Sequence, residues 1–232
     1  MNLCRMRQSL GTIASLRVGV FVGMLGFAPV AFAAGKPPEA KPATQYAAFD
    51  SHAEEHVSIA AEPCDEPKNC GFFRLEYIQH GFLPVRVIIT NDSDKALSLD
   101  EVRIQFLSAS GDRIPAATDE DINRRLFSTK RAMGTKIPMI PITIHHPPVD
   151  RKISEDDADF GFNSTTVQPH TTSAGYLFYD IRDLDDPAMR HASLYLKEIR
   201  TLDGKHELFE FTIPFDNWLK AHPDAPSNKE RR

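Results

Sequence analysis

Between Val57 and Pro214 the apolar residues fall at every second position in short runs, each closed by turn residues. That spacing restricts the chain to strands with a buried face. Val57, Ile59 and Ala61 alternate with Ser58 and Ala60; Phe73, Leu75 and Tyr77 alternate with Arg74 and Glu76; Val102, Ile104 and Phe106 alternate with Arg103 and Gln105. Leu83 to Thr90 is apolar almost throughout, as a central strand is, and stops at the turn sequence Asn91-Asp92-Ser93-Asp94. A later group holds Gly175 to Ile181, with aromatic residues on both sides, then Ala192 to Arg200 and Glu207 to Ile213 around Leu202-Asp203-Gly204-Lys205. An Asp-Gly pair between two such runs predicts a type I′ hairpin, which needs positive φ at both central residues. Thr118 and Asp121 have the spacing of a capping box, ahead of Ile122 and Leu126 on one helical face. A second short helix is expected at Trp218 and Leu219, capped by Asp216, with the tryptophan plugging one end of the fold. The expected fold class is all-β: an antiparallel β-sandwich with one or two short helices.

The N-terminus sets the compartment. Arg5, Arg7 and Arg17 precede an apolar run from Val18 that ends in Ala31-Phe32-Ala33, the pattern of a secretory signal with an A-x-A cleavage site. The competing reading is a retained anchor helix. The run falls short of the roughly 20 apolar residues that span a bilayer, and Pro29 with Gly19, Gly23 and Gly26 weakens it as a helix. Residues 1–33 are therefore expected to be a signal peptide, and the protein to be periplasmic or secreted, with no membrane insertion after cleavage. Removing them takes away three arginines and no acid, which moves the formal charge from −5 to −8. An acidic balance of this kind argues against binding nucleic acid or an anionic lipid surface.

Cys64 and Cys70 remain after processing, and in an oxidising compartment such a pair reads as a disulfide. A redox pair or half a metal site would favour two-residue spacing. Residues 34–54, rich in Ala, Pro and charge, read as a disordered linker, and residues 221–232 as a disordered tail. The domain is then expected over 55–220. Within it, residues 128–160 break the strand rhythm and form a long insertion: Pro138 and Pro141 interrupt an apolar run, His145-His146-Pro147-Pro148 follows, and then the acidic run Glu155 to Asp159.

The segment Leu83 to Asp94, with Leu97-Ser98-Leu99 and Val102 to Phe106, resembles the early strands of immunoglobulin-like domains of exported bacterial envelope proteins, in which a strand ending in Thr-Asn meets a small polar turn. Val167 to Tyr179 resembles a later strand of the same domains, where a Pro-containing turn leads into a Gly-aromatic-apolar-aromatic run. The resemblance implies an immunoglobulin-like fold and carries no functional residues with it.

Chemistry is sparse. His145 and His146, with Met133 and Met139 upstream, are the imidazole and thioether types that copper takes, but neighbours on an extended segment point to opposite sides. Glu155 to Asp159 lacks the alternating acids and glycine turn of a calcium loop and reads as a solvated charge run. Asp180, Asp183, Asp185 and Asp186 read the same way. There is no Gly-x-Ser-x-Gly elbow, phosphate loop or His-Glu-x-x-His motif. The Asn91-Asp92-Ser93 and Asn163-Ser164-Thr165 sequons mark polar turns.

The expected function is an exported, non-catalytic binding or structural module of the cell envelope. It needs no cofactor and contacts a protein or envelope component through a sheet edge or the insertion. The alternative is a metal-dependent enzyme or copper-binding accessory protein using His145, His146 and His170. No catalytic residue is assigned, and the sequence leaves the oligomeric state open.

Overall fold

The computed structural model describes residues 39–66, 69–126, 135–136, 143–144, 149–185 and 187–223, with backbone alone at 135–136 and 143–144. The strands are β1 (Phe49–His52), β2 (Val57–Pro63), β3 (Phe82–Asn91), β4 (Leu97–Ser98), β5 (Arg103–Leu107), β6 (Arg113–Pro115), β7 (Thr135–Lys136), β8 (Thr143–Ile144), β9 (Thr166–Val167), β10 (Thr171–Asp180), β11 (Ser193–Lys197), β12 (Arg200–Thr201) and β13 (Phe211–Pro214). The helices are α1 (Asp119–Leu126), α2 (Val149–Phe160) and α3 (Phe215–Ala221). One four-stranded sheet has the order β1-β2-β3-β10 and the other β13-β11-β5-β6. A small sheet, β12-β4-β9, and the β7–β8 pair are the other sheets among the described residues. Every ladder is antiparallel. The chain is mostly β, as its periodicity predicts.

The two large sheets share one core. Ile59, Val85, Val87 and Tyr179 of the first meet Phe106, Leu194, Leu196 and Phe211 of the second. β3 is the central strand of its sheet and is buried along its whole length, which accounts for its continuous apolar sequence. A second apolar cluster lies on the other face of the first sheet, where Tyr176 and Phe178 of β10 meet Phe73, Tyr77, Ile122 and Phe160. The aromatics on both sides of β10 reflect these two covers.

Four local expectations are corrected. The linker assignment for 34–54 reaches too far: Ala43 begins a short 3-10 turn, Ala43 and Ala48 are buried, and β1 begins at Phe49. Alanines have little apolar surface, so a segment that docks through them resembles a leader in composition. Phe73 to Tyr77 forms no strand; the chain turns there and enters a 3-10 helix at Tyr77–His80, because the neighbours Phe72 and Phe73 both pack into the second cluster, whereas a strand would send them to opposite faces. Leu202 to Lys205 does turn back on itself, but only Gly204 takes positive φ (68°), so the turn is not type I′. The Asp203 carboxylate instead accepts the Thr201 hydroxyl (2.6 Å) and the Lys205 N–H (3.1 Å). Asp216 does not cap α3; it accepts the His191 N–H at 3.0 Å.

Two further expectations hold only in part: three short helices are described instead of one or two, because Val149–Phe160 of the expected inserted loop presents Ile153, Asp156 and Phe160 to the interior and forms α2, and the strand expected over Glu207 to Ile213 begins only at Phe211. The readings of the α1 cap, the tryptophan and the disulfide hold. At α1 the Thr118 N–H and hydroxyl donate to Asp121 (3.2 and 2.7 Å) and the Asp121 N–H donates back to Thr118 (3.2 Å). Trp218 is buried in the main core, and the Cys64–Cys70 disulfide is formed. Residues 1–33 and 224–232 lie outside the described residues.

Candidate functional site

An open cleft of about 560 Å³ lies where the outermost strands β6 and β10 of the two large sheets approach each other, between β6, the start of β3, the end of β10 and α1. The capping box starts α1 immediately after β6, and the Ala117 N–H donates to the Phe178 carbonyl (2.7 Å), which fixes the helix against β10. Ile122 and Leu126 turn into the second cluster, leaving Asp121, Arg124 and Arg125 facing the cleft. Its floor is Phe82, Ile114, Pro115, Ala116 and Ala117.

Arg125 and Asp180 form a two-pronged ion pair on the cleft wall: Nη1 donates to Oδ1 at 2.8 Å and Nη2 to Oδ2. The guanidinium also lies over the Phe82 ring, 4.8 Å from its centroid. Burial pushes the Asp180 carboxyl up, but the Arg125 hydrogen bonds, the Arg182 N–H (3.2 Å) and both arginine charges outweigh it, so its pKa is lowered. Asp180 holds Arg125 more firmly cationic in return. Asp121 is lowered chiefly by the Thr118 hydroxyl. Both carboxylates are thus ionised acceptors at neutral pH and are already engaged. Arg124 differs: it is 71% exposed, and its carboxylate neighbours Glu120 and Asp121 stand at 3.5 and 3.7 Å, beyond ordinary hydrogen-bond length.

The strand edges, by contrast, are covered or blunted. On β13 the Thr212 N–H donates to Asp50 of β1 (3.0 Å), and just before it the Phe209 N–H donates to Glu55 (2.9 Å). Glu55 also meets His52 Nδ1 at 2.8 Å and His206 Nε2 at 3.5 Å. His52 stacks on Phe211 with ring centroids 3.9 Å apart. β10 is covered where Gly161 bridges to Tyr176 and the Phe162 N–H donates to the Tyr176 carbonyl (3.0 Å). Gly175 permits this approach, since a Cβ there would collide with the backbone of Gly161 and Phe162. β6 is three residues long and ends at Pro115, which has no N–H to offer.

A second polar cluster is closed. Asp156 projects from α2 between Ile153 and Phe160, and its side chain is 0% exposed. The Arg74 N–H donates to both of its oxygens (3.0 Å each), Arg74 Nη1 to Oδ1 (2.9 Å) and the Tyr77 hydroxyl to Oδ2 (2.9 Å). Arg74 reaches on to Glu155 (3.1 Å) and Asp159 (2.5 Å). Burial pushes Asp156 upward against these hydrogen bonds, with a net rise, and burial likewise raises Tyr77. This network fastens α2 to the chain after the disulfide.

The residues singled out from sequence scatter. His145, His146, Met133, Met139 and Asp186 lie outside the described residues. His170 is an exposed turn residue 3.0 Å from Asp94. Among the described residues, no group of three or more His, Cys, Asp or Glu side chains is placed to hold a metal ion. Asn91 is fully buried, donating to the Lys95 carbonyl (2.7 Å) and accepting from Ser93, so its sequon is a turn lock. The acidic run at 155–159 is not uniformly solvated, since Asp156 is in the interior. Its place in Ile153-x-x-Asp156-x-x-x-Phe160, on one helical stripe, was the available signal. Asp180 was passed over because nothing local links it to Arg125. Among the described residues no helix is long and apolar enough to cross a membrane.

Comparison of the chain with protein-family models, with curated proteins and with solved structures returned no match.

Proposed function

We propose that this protein is an exported, non-catalytic module of the cell envelope, built on an immunoglobulin-like sandwich, that holds a protein partner at the cleft between β6 and α1. The observation that carries the reading is the contrast between covered or blunted strand edges and the open cleft beside them. Strand addition requires a free row of backbone groups, which the outer strands do little to offer. A cleft with an apolar floor and a few placed charges is the usual form of a contact site.

The strand order supports the fold assignment. With β1 set aside, the order β2-β3-β10 on one side and β13-β11-β5-β6 on the other, with the chain crossing between sheets after β3, β6 and β10, is compatible with an immunoglobulin-like connectivity. The signal pattern at 1–33 and the disulfide support export. The chemistry of the lining supports holding over turnover. A general acid or base works best with a pKa near the working pH, whereas Asp121 and Asp180 are held lower still than ordinary carboxylates.

Pull-down from envelope extracts with the exported protein tests this. Pro115→Trp, which crowds the cleft from an exposed position, should release the partner that the unaltered protein retains. Leu202→Trp, on the hairpin, should keep it. Equal retention by all three proteins contradicts the reading.

A further inference from the structure

We infer that a second site takes a small organic cation, one apolar ring carrying an ammonium group. A pocket of about 160 Å³ opens between the disulfide, the 3-10 helix Tyr77–His80 and β3, and it shares no lining residue with the cleft. Phe73, Tyr77, Ile78 and Pro84 are its buried residues, with half-buried Leu75 and the Cys70 end of the disulfide beside them. The Tyr77 hydroxyl donates to Asp156 (2.9 Å), which leaves the ring of this residue to the pocket. A cavity of about 150 Å³ holds one benzene ring. The recess therefore has room for a single ring and little more.

Two exposed polar residues, Glu76 and Gln79, line the same pocket. The Gln79 N–H donates to the Glu76 carbonyl (3.1 Å), which starts the 3-10 turn and keeps the two residues together at the mouth. Among the described residues, neither side chain has a hydrogen-bond or ion-pair partner, and Glu76 is the single charged residue of the lining. Arg74, the cation just before it, is engaged by Glu155, Asp156 and Asp159. An apolar recess one ring wide, with an uncommitted carboxylate at its edge, is complementary to a ring that ends in a cation. The ring packs against Phe73 and Ile78, and the ammonium donates to the Glu76 carboxylate and the Gln79 amide oxygen. A carboxylate on the same ring would meet Glu76 with like charge, and a neutral ring would leave it unanswered.

The test uses the full exported protein and three fluorinated probes of one size, para-fluorobenzylammonium, para-fluorotoluene and para-fluorobenzoate, each titrated by fluorine NMR. The ammonium should bind about tenfold more tightly than the neutral ring, since its hydrogen bonds are charge-assisted, and the benzoate more weakly than either. Glu76→Gln is an exposed change that should leave the melting temperature unaltered and bring the ammonium to the affinity of the neutral ring. Leu75→Trp, which fills the recess, should abolish binding of all three probes. Absence of ammonium binding at millimolar concentration, equal affinities for the three probes, or an unchanged preference in Glu76→Gln overturns the inference. Unaltered binding by folded Leu75→Trp places the probe elsewhere and overturns it too. The pull-down keeps the two sites apart: the partner released by Pro115→Trp should be retained by Glu76→Gln, so that either reading can fail without the other.

Discussion

Two Arg–Asp pairs hold the two helices that flank the edge of the first sheet, and they work in opposite surroundings. Arg74–Asp156 is sunk beneath α2, with Tyr77 closing the last acceptor, and burial raises the aspartate. Arg125–Asp180 stands on the wall of a cleft, and its hydrogen bonds and charges lower the aspartate. The same two residue types therefore serve as a sealed fastening in one place and as a solvated rim in the other. The difference lies in what surrounds them: Phe73, Phe160 and Phe178 close over the first, whereas β6 ends at Pro115 and leaves the second uncovered.

The largest effect should come from breaking the sealed pair. Asp156→Ala orphans the Arg74 N–H and the Tyr77 hydroxyl in a dry site and should cost about 3 kcal/mol in urea unfolding. Loss of both cysteines, as Cys64→Ala with Cys70→Ala, should cost about 2 kcal/mol, since the closed loop is short. Thr118→Ala removes the reciprocal cap of α1 and should cost about 1 kcal/mol. Arg125→Ala should likewise cost about 1 kcal/mol, since the pair is two-pronged but only part-buried, with side chains 20% and 32% exposed, and it alters the cleft wall.

The pairs should also respond to acid with opposite sign. Asp180 has a folded pKa below its unfolded value, so its stabilising contribution is complete above about pH 4 and is lost as pH falls through the folded pKa. Asp156 has a folded pKa above its unfolded value, so the folded state takes up the proton first, and its contribution grows more favourable as pH falls through that raised value. Melting temperatures measured against pH should show a shallower acid limb in Asp180→Asn and a steeper one in Asp156→Asn. Parallel shifts in the two variants would erase the distinction between the pairs.

Much of the β architecture was legible in the sequence, because burial of alternate residues writes itself into the order of side chains. β5 was readable for that reason, whereas β2 and β3 were readable from apolar runs buried on both faces and the cap of α1 from the spacing of Thr118 and Asp121. The strand β1 was not, since it docks beside buried alanines and through the Asp50 carboxylate, and such contacts leave no hydrophobic signature. Of the cleft, only the capping box could be read. Arg125 and Asp180 are 55 residues apart and meet only because β6 delivers α1 to the end of β10. Asp156 was misread because its acidic neighbours concealed its place on the buried stripe of α2.

The cleft as a contact surface is tested most directly by photo-crosslinking in intact cells, with p-benzoylphenylalanine placed at the exposed rim residue Arg124 or, separately, at Leu202. The account predicts a discrete adduct from Arg124 that disappears when Pro115→Trp is added, and none of the same mass from Leu202. An absence of adducts at Arg124, or the same adduct from both positions, would contradict it.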